Sequence, residues 1–147
     1  MKATANEIST SRLLNAARER VWEAWTDPAL LARWWGPEGF TNTFHVFESR
    51  PGGNWKLTMH GPDGGNYGNH FVFRELAAPE RIVLEHMDPV HSFRLFATFE
   101  ERNDQTLLTF RMVFADTAEC ERVRPFVTDA NEQNLDRLEA VMTNTGQ

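Results

Sequence analysis

Apolar and polar residues alternate with a period of two through the middle of the chain. Trp55, Leu57 and Met59 stand against Lys56, Thr58 and His60, and beyond residues 61–65 the series resumes as Tyr67, Asn69, Phe71 and Phe73 against Gly68, His70, Val72 and Arg74. Alternation broken by a Gly/Pro/Asp cluster predicts a hairpin. Ile82-Leu84-His86, Phe93-Leu95-Ala97-Phe99 and Leu108-Phe110-Met112-Phe114 repeat the pattern, the last two joined across Asn103-Asp104. Upstream, strands are predicted at 8–15 and 41–48, with short helices at 18–24 and 28–35 between them. Thr26 or Asp27 is placed to cap the helix that Pro28 opens, and Gly36-Pro37 stops it. Downstream, Val123, Val127, Ala130, Leu135, Leu138 and Met142 recur at mostly three- and four-residue steps, which predicts an amphipathic helix over 117–142 that Pro125 kinks or restarts. The result is an α+β chain whose antiparallel sheet needs the long helix to cover its apolar face.

Pairing the strands through their turns predicts the inward face. Met59 is set opposite Tyr67, Leu57 opposite Asn69 and Trp55 opposite Phe71. A turn over 76–79 then sets Phe73 opposite Ile82, Phe71 opposite Leu84 and Asn69 opposite His86. A turn over 88–92 sets His86 opposite Phe93, and Asn103-Asp104 sets Phe93 opposite Phe114 and Leu95 opposite Met112. Every apolar set then falls on one face, where a one-residue slip would turn a strand inside out. Trp55, Phe71, Leu84, Leu95 and Met112 form one predicted layer. Asn69 and His86 are the polar exceptions in the next, and they need each other, water or a ligand, because a buried polar group without a partner costs about 1–3 kcal/mol.

The run Ala24-Trp25-Thr26-Asp27-Pro28-Ala29-Leu30-Leu31-Ala32-Arg33-Trp34-Trp35-Gly36-Pro37-Glu38-Gly39-Phe40, followed by Arg50-Pro51-Gly52-Gly53-Asn54-Trp55, resembles the SRPBCC (START-like, birch-pollen-allergen-like) superfamily. The branch it is similar to is that of the C-terminal domain of the heat-shock chaperone ATPase activator. The resemblance covers roughly residues 8 to 142. It implies a helix-grip fold: a curved antiparallel sheet wrapped around a long C-terminal helix, with two short helices after the first strand and a cavity between sheet and helix. The family commonly shows a Gly-Trp pair ahead of the Leu-x-x-Leu of that helix, and here Ala130-Asn131 stands in its place before Leu135-Asp136-Arg137-Leu138. A large ring is therefore missing. Asn131 and Asn134 enlarge the cavity if they face the sheet and are solvated if the helix is rotated by a third of a turn; Asn134 is read as solvated and Asn131 is left open. Trp22, Trp25, Trp34 and Trp35 do not fit one helix face, so some anchor the short helices and another rims the cavity mouth.

Composition narrows the partners. A chain of 147 residues fits one domain, read as 1–147 with loose ends at 1–6 and 143–147, and buries roughly 70% of its unfolded surface. Fifteen Lys+Arg against 21 Asp+Glu, a net charge of −6, disfavours nucleic acid and anionic membranes. No stretch approaches the roughly 20 apolar residues of a membrane span, no signal peptide is visible and the single Cys120 has no intrachain partner, so a soluble cytoplasmic protein is expected.

The chemistry available is limited. Five histidines contain no metal-binding spacing, His60 and His70 face away from His86, and His45 and His91 read as surface or loop residues, so no metal is expected. Gly52-Gly53 and Gly64-Gly65 serve turns and open no phosphate cradle, the serines lack a nucleophile context, and Glu119 and Glu121 hold the Cys120 thiol up, so no cofactor is expected and Cys120 is inert. His86 is the candidate general acid or base, with Glu48 its candidate carboxylate partner or else a salt bridge at the hairpin. The favoured function is binding of a small apolar or amphipathic molecule by Trp55, Leu57, Tyr67, Asn69, Phe71, Leu84, His86, Phe93, Leu95, Met112 and Asn131. The alternatives are a chaperone ATPase co-activator or other protein-partner module, and a small cyclase, dehydratase or hydrolase using His86.

Overall fold

The structure, a computed structural model, describes residues 6–88 and 92–144. The expectations for His91 and for residues 1–5 and 145–147 lie outside them. Strand β1 (Glu7–Leu14) leads into helices α1 (Arg18–Thr26) and α2 (Pro28–Trp34); β2 (Thr41–Phe47), β3 (Asn54–His60), β4 (Asn66–Ala77), β5 (Arg81–His86), β6 (Phe93–Arg102) and β7 (Gln105–Phe114) follow, and α3 (Thr117–Asn144) closes the chain. The strands form one curved antiparallel sheet in the order β1-β7-β6-β5-β4-β3-β2. The described ends are more ordered than predicted: Asn6 exchanges hydrogen bonds with Phe114, and Thr143 bonds back to Glu139 within α3.

Local chemistry accounts for the elements. Asp27 Oδ1 accepts from Ala29 N at 3.0 Å and Pro28 occupies the first turn, so α2 starts where a side-chain acceptor meets a residue that lacks an N–H. Thr26 instead donates to Trp22 O, within α1. Trp34 Nε1 donates to Ala24 O at 2.9 Å and ties the two helices together. Pro125 does not divide α3, which is one helix of 28 residues. A proline removes one bond of the ladder, and the helix is anchored on both sides of it, by buried Cys120 before and buried Asn131 after. Arg12 of β1 holds α3 onto the sheet through Glu132, Asp136 and Glu139, each at 2.9 Å.

The register agrees with the alternation in β3–β4, β5–β6 and β6–β7, including Trp55 opposite Phe71, His86 opposite Phe93 and Leu95 opposite Met112. In β4–β5 it does not: Phe73 lies opposite Leu84 and Phe71 opposite His86. The turn closes later than expected, at Ala77 opposite Arg81, an odd displacement that alone would reverse the strand. A bulge between Phe73 and Glu75 takes back one residue, leaving a slip of two that preserves every face. Trp55, Phe71, Leu84, Leu95 and Met112 are accordingly all buried, at 7% exposure or less.

Candidate functional site

Between the sheet and α3 lies a cavity of about 170 Å³. Phe71 of β4, Phe93 and Leu95 of β6, and Phe110 and Met112 of β7 form its sheet wall; Ala130, Asn131 and Asn134 of α3 form the opposite wall. Trp35, Gly36, Pro37 and Met59 close the side next to α2. Among the described residues no ionisable side chain lines it, and the side-chain amides on its wall are those of Asn69, Asn131 and Asn134.

The hollow exists because α3 places small and polar residues opposite large ones. Asn131, Asn134, Leu135, Leu138, Val141 and Met142 are the buried residues of its second half, one continuous helical stripe. Asn134 is thus buried, at 6% exposure, contrary to its reading as solvated. It falls on the same stripe as Leu135 and Leu138, and its polarity does not decide which way the helix turns. Asn131, left open by the sequence, is buried at 7%. Its Nδ2 donates to Met112 Sδ at 3.4 Å, a weak acceptor. Asn134 Oδ1 is buried with no hydrogen-bond partner among the described residues.

Asn69 and His86 meet, although not as direct neighbours across the ladder. His86 Nε2–H donates to Asn69 Oδ1 at 3.0 Å, and Asn69 Nδ2 reaches Tyr67 O at 3.4 Å. The imidazole stacks on Phe93 with ring centroids 4.7 Å apart and leans on Phe71 at 5.0 Å. These rings are themselves part of the cavity wall, and His86 is not among the residues that line it. With Asn69 it borders a polar groove that also includes His45, Lys56, His70 and Asp88.

Of the other residues singled out from the sequence, Asn69, Phe71, Phe93, Leu95, Met112 and Asn131 line the cavity. Trp55, Leu57 and Leu84 are buried but do not line it; Trp55 is stacked on Phe71 at 5.0 Å, and Leu57 borders the polar groove. Tyr67 is 46% exposed beside the turn, its hydroxyl toward Asp63. Glu48 serves its hairpin: Oε1 accepts from Asn54 N at 2.9 Å, and that bond, ahead of Arg50, holds its carboxyl below the usual range. Cys120 is buried, and burial, more than Glu121, raises its thiol. No group of three or more His, Cys, Asp or Glu among the described residues is placed to hold a metal ion, and no described helix is long and apolar enough to cross a membrane.

Sequence reasoning missed the lid of the cavity. Arg137 on α3 reaches across to the 33–40 segment, where Nη1 donates to Trp35 O, Gly36 O and Pro37 O at 3.2, 2.8 and 3.0 Å, and Nη2 to Arg33 O and Phe40 O at 3.0 and 2.9 Å. Burial lowers the pKa of this guanidinium. Gly36 has φ +96°, and a Cβ there would lie 2.8 Å from Met59 Cε, so a side chain at this place would close on the cavity. Trp35 is the tryptophan at the rim; Trp25 and Trp34 are anchors, at 2% and 0% exposure.

Comparison with known proteins gives a consistent answer. The family described as Activator of Hsp90 ATPase homolog 1-like protein matches residues 15–143. A solved protein of Nitrosomonas europaea superposes with a TM-score of 0.90 at 17% identity, covering 99% of each chain. One of Chromobacterium violaceum gives 0.81 at 25% identity over 95% of this chain and 98% of that one. The Activator of Hsp90 ATPase homolog 1-like protein of Aeromonas hydrophila gives 0.78 at 21%, over 95% and 94%. No curated protein matches the sequence.

Proposed function

The chain belongs to the family of Activator of Hsp90 ATPase homolog 1-like proteins, of the SRPBCC helix-grip type, and from that premise we propose that it binds a small, mainly apolar molecule between its sheet and α3. The observation that carries this reading is the 170 Å³ cavity, walled by aromatic and aliphatic side chains where a well-packed interior has few voids larger than a water molecule. A cavity of about 150 Å³ lined by apolar residues holds benzene. The expected ligand is therefore of single-ring size, below the several hundred Å³ of a drug-sized site.

Asn131 supplies the test, because it lies on the helix wall where relatives commonly carry a tryptophan. Asn131→Trp should fill the cavity. Titration with toluene and phenol, followed by NMR chemical shifts, should show saturable binding to the natural protein and none to this variant, with melting of both confirming that they are folded. Absence of saturable binding to the natural protein, or equal binding to Asn131→Trp, would refute the reading. The family description supports a second one, a chaperone ATPase co-activator. In that case stimulation of a chaperone's ATPase should survive Asn131→Trp unchanged.

A further inference from the structure

The two amides of α3 narrow the ligand's chemistry. Asn134 carries a carbonyl oxygen that is buried, borders the cavity and has no partner among the described residues. One turn earlier, Asn131 presents an amide N–H to the Met112 thioether, an acceptor that a better one readily replaces. Residues three apart on a helix are neighbours on one face, so an unsatisfied acceptor and an under-used donor border the same small space. Asn69, the third amide there, is already engaged with His86 and Tyr67.

Resting on the binding reading above, the geometry points to a neutral, single-ring molecule carrying one hydroxyl, which donates to Asn134 Oδ1 and accepts from Asn131 Nδ2 while its ring lies among Phe71, Phe93, Leu95 and Met112. A hydroxyl is both donor and acceptor, which is what this pair of amides asks for. A carboxylate or ammonium is excluded by the absence of any ionisable group among the described residues of the lining, since an unpaired charge is strongly disfavoured in an apolar site. A hydrocarbon ring fits the volume and leaves Asn134 unsatisfied.

The experiment compares phenol, toluene and benzoate on the natural protein and on Asn134→Leu, by calorimetry or NMR titration. Phenol should bind the natural protein at least as tightly as toluene, although water retains phenol better, and benzoate should not bind. In Asn134→Leu the phenol-to-toluene affinity ratio should fall by about tenfold, the loss of one buried hydrogen bond. Toluene binding to both proteins with no change in that ratio, or benzoate binding as well as phenol, would overturn the hydroxyl assignment while leaving the cavity reading standing. If neither ring binds the natural protein, the cavity reading itself fails. Should Asn134→Leu not fold, the ranking of the three probes on the natural protein still decides the question.

Discussion

Along β6 the inward side chains pass from one kind of interior to another. Phe93 and Leu95 face the cavity, whereas Ala97 and Phe99 sit in a solid aromatic cluster under α1, where Trp25 packs edge-on to Trp34, Trp35 and Phe99 at 5.0 to 5.9 Å. The packed end is closed by side chains that interdigitate. Across from the hollow end, α3 offers Ala130, Asn131 and Asn134, a methyl too small to fill the space and two amides that the apolar sheet wall does not satisfy well. The same sheet and helix thus build a packed core at one end and a cavity at the other. What separates them is a handful of side chains on one helix, not a change of backbone architecture.

Two cross-strand partners put this contrast to its strongest test. Leu84 and Leu95 are opposite each other in β5–β6 and both are 1% exposed, yet only Leu95 borders the cavity. Leu84→Ala should cost about 2–5 kcal/mol, the usual range where a new void opens in packed surroundings. Leu95 already has open space on one side and so has fewer contacts to lose, and Leu95→Ala should cost about 1 kcal/mol less. Urea melts with unchanged slope would measure both. Equal losses would mean that the cavity wall is as tightly packed as the rest.

The next test concerns what keeps the hollow end from collapsing or opening. Arg137 donates to five backbone carbonyls of the 33–40 segment, three of whose residues, Trp35, Gly36 and Pro37, line the cavity. Arg137→Leu should destabilise the protein by about 1–3 kcal/mol, because hydrogen bonds to a charged donor are lost and partly buried acceptors are left to water. It should also speed probe dissociation. Arg137→Lys keeps the charge without the planar fork and should recover part of the stability. Unchanged dissociation in Arg137→Leu would show that the segment is held by Trp35 packing alone.

This division of the interior was only partly legible in the sequence. Strand alternation, the Asp27-Pro28 start of α2 and the tight Asn103-Asp104 turn, with Asn103 at φ 59°, each leave a local mark that fixes an element or a register. The bulge at Arg74 leaves none: its neighbours alternate as any strand does, and only tertiary pairing shows that Phe71 faces His86. Asn134 was concealed differently. Its spacing to Leu135 and Leu138 placed it on the buried stripe, but an amide is normally a surface residue, and polarity outweighed period. The Arg137 clamp has no sequence motif at all, because every acceptor is a backbone carbonyl.

The smallest expected effect is in pH dependence, and it belongs to the hollow end alone. The described histidines, His45, His60, His70 and His86, all lie on β2 to β5, and none is on the strands or helices that enclose the Trp25 cluster. His70 is the one whose pKa the structure moves, downward, first through burial and then through electrostatic repulsion by Lys56 opposite it and by neighbouring His86. Its Nε2 bonds to Asn54 Oδ1 at 2.8 Å. With the folded value below the ordinary one near 6.5, the unfolded chain takes up the proton first, so acidification favours unfolding. The His70 contribution is complete above about pH 6.5 and is lost as the pH falls through the lower folded value. Hydrogen exchange between pH 7.5 and 5.5, corrected for its intrinsic rate, should therefore show protection falling in β3 and β4 before β1 and β7. His70→Gln should flatten this part of the profile and leave the Trp25 end as it was. An unaltered profile would place the sensitivity on another group, and simultaneous loss at both ends would mean that the packed and hollow halves unfold as one unit.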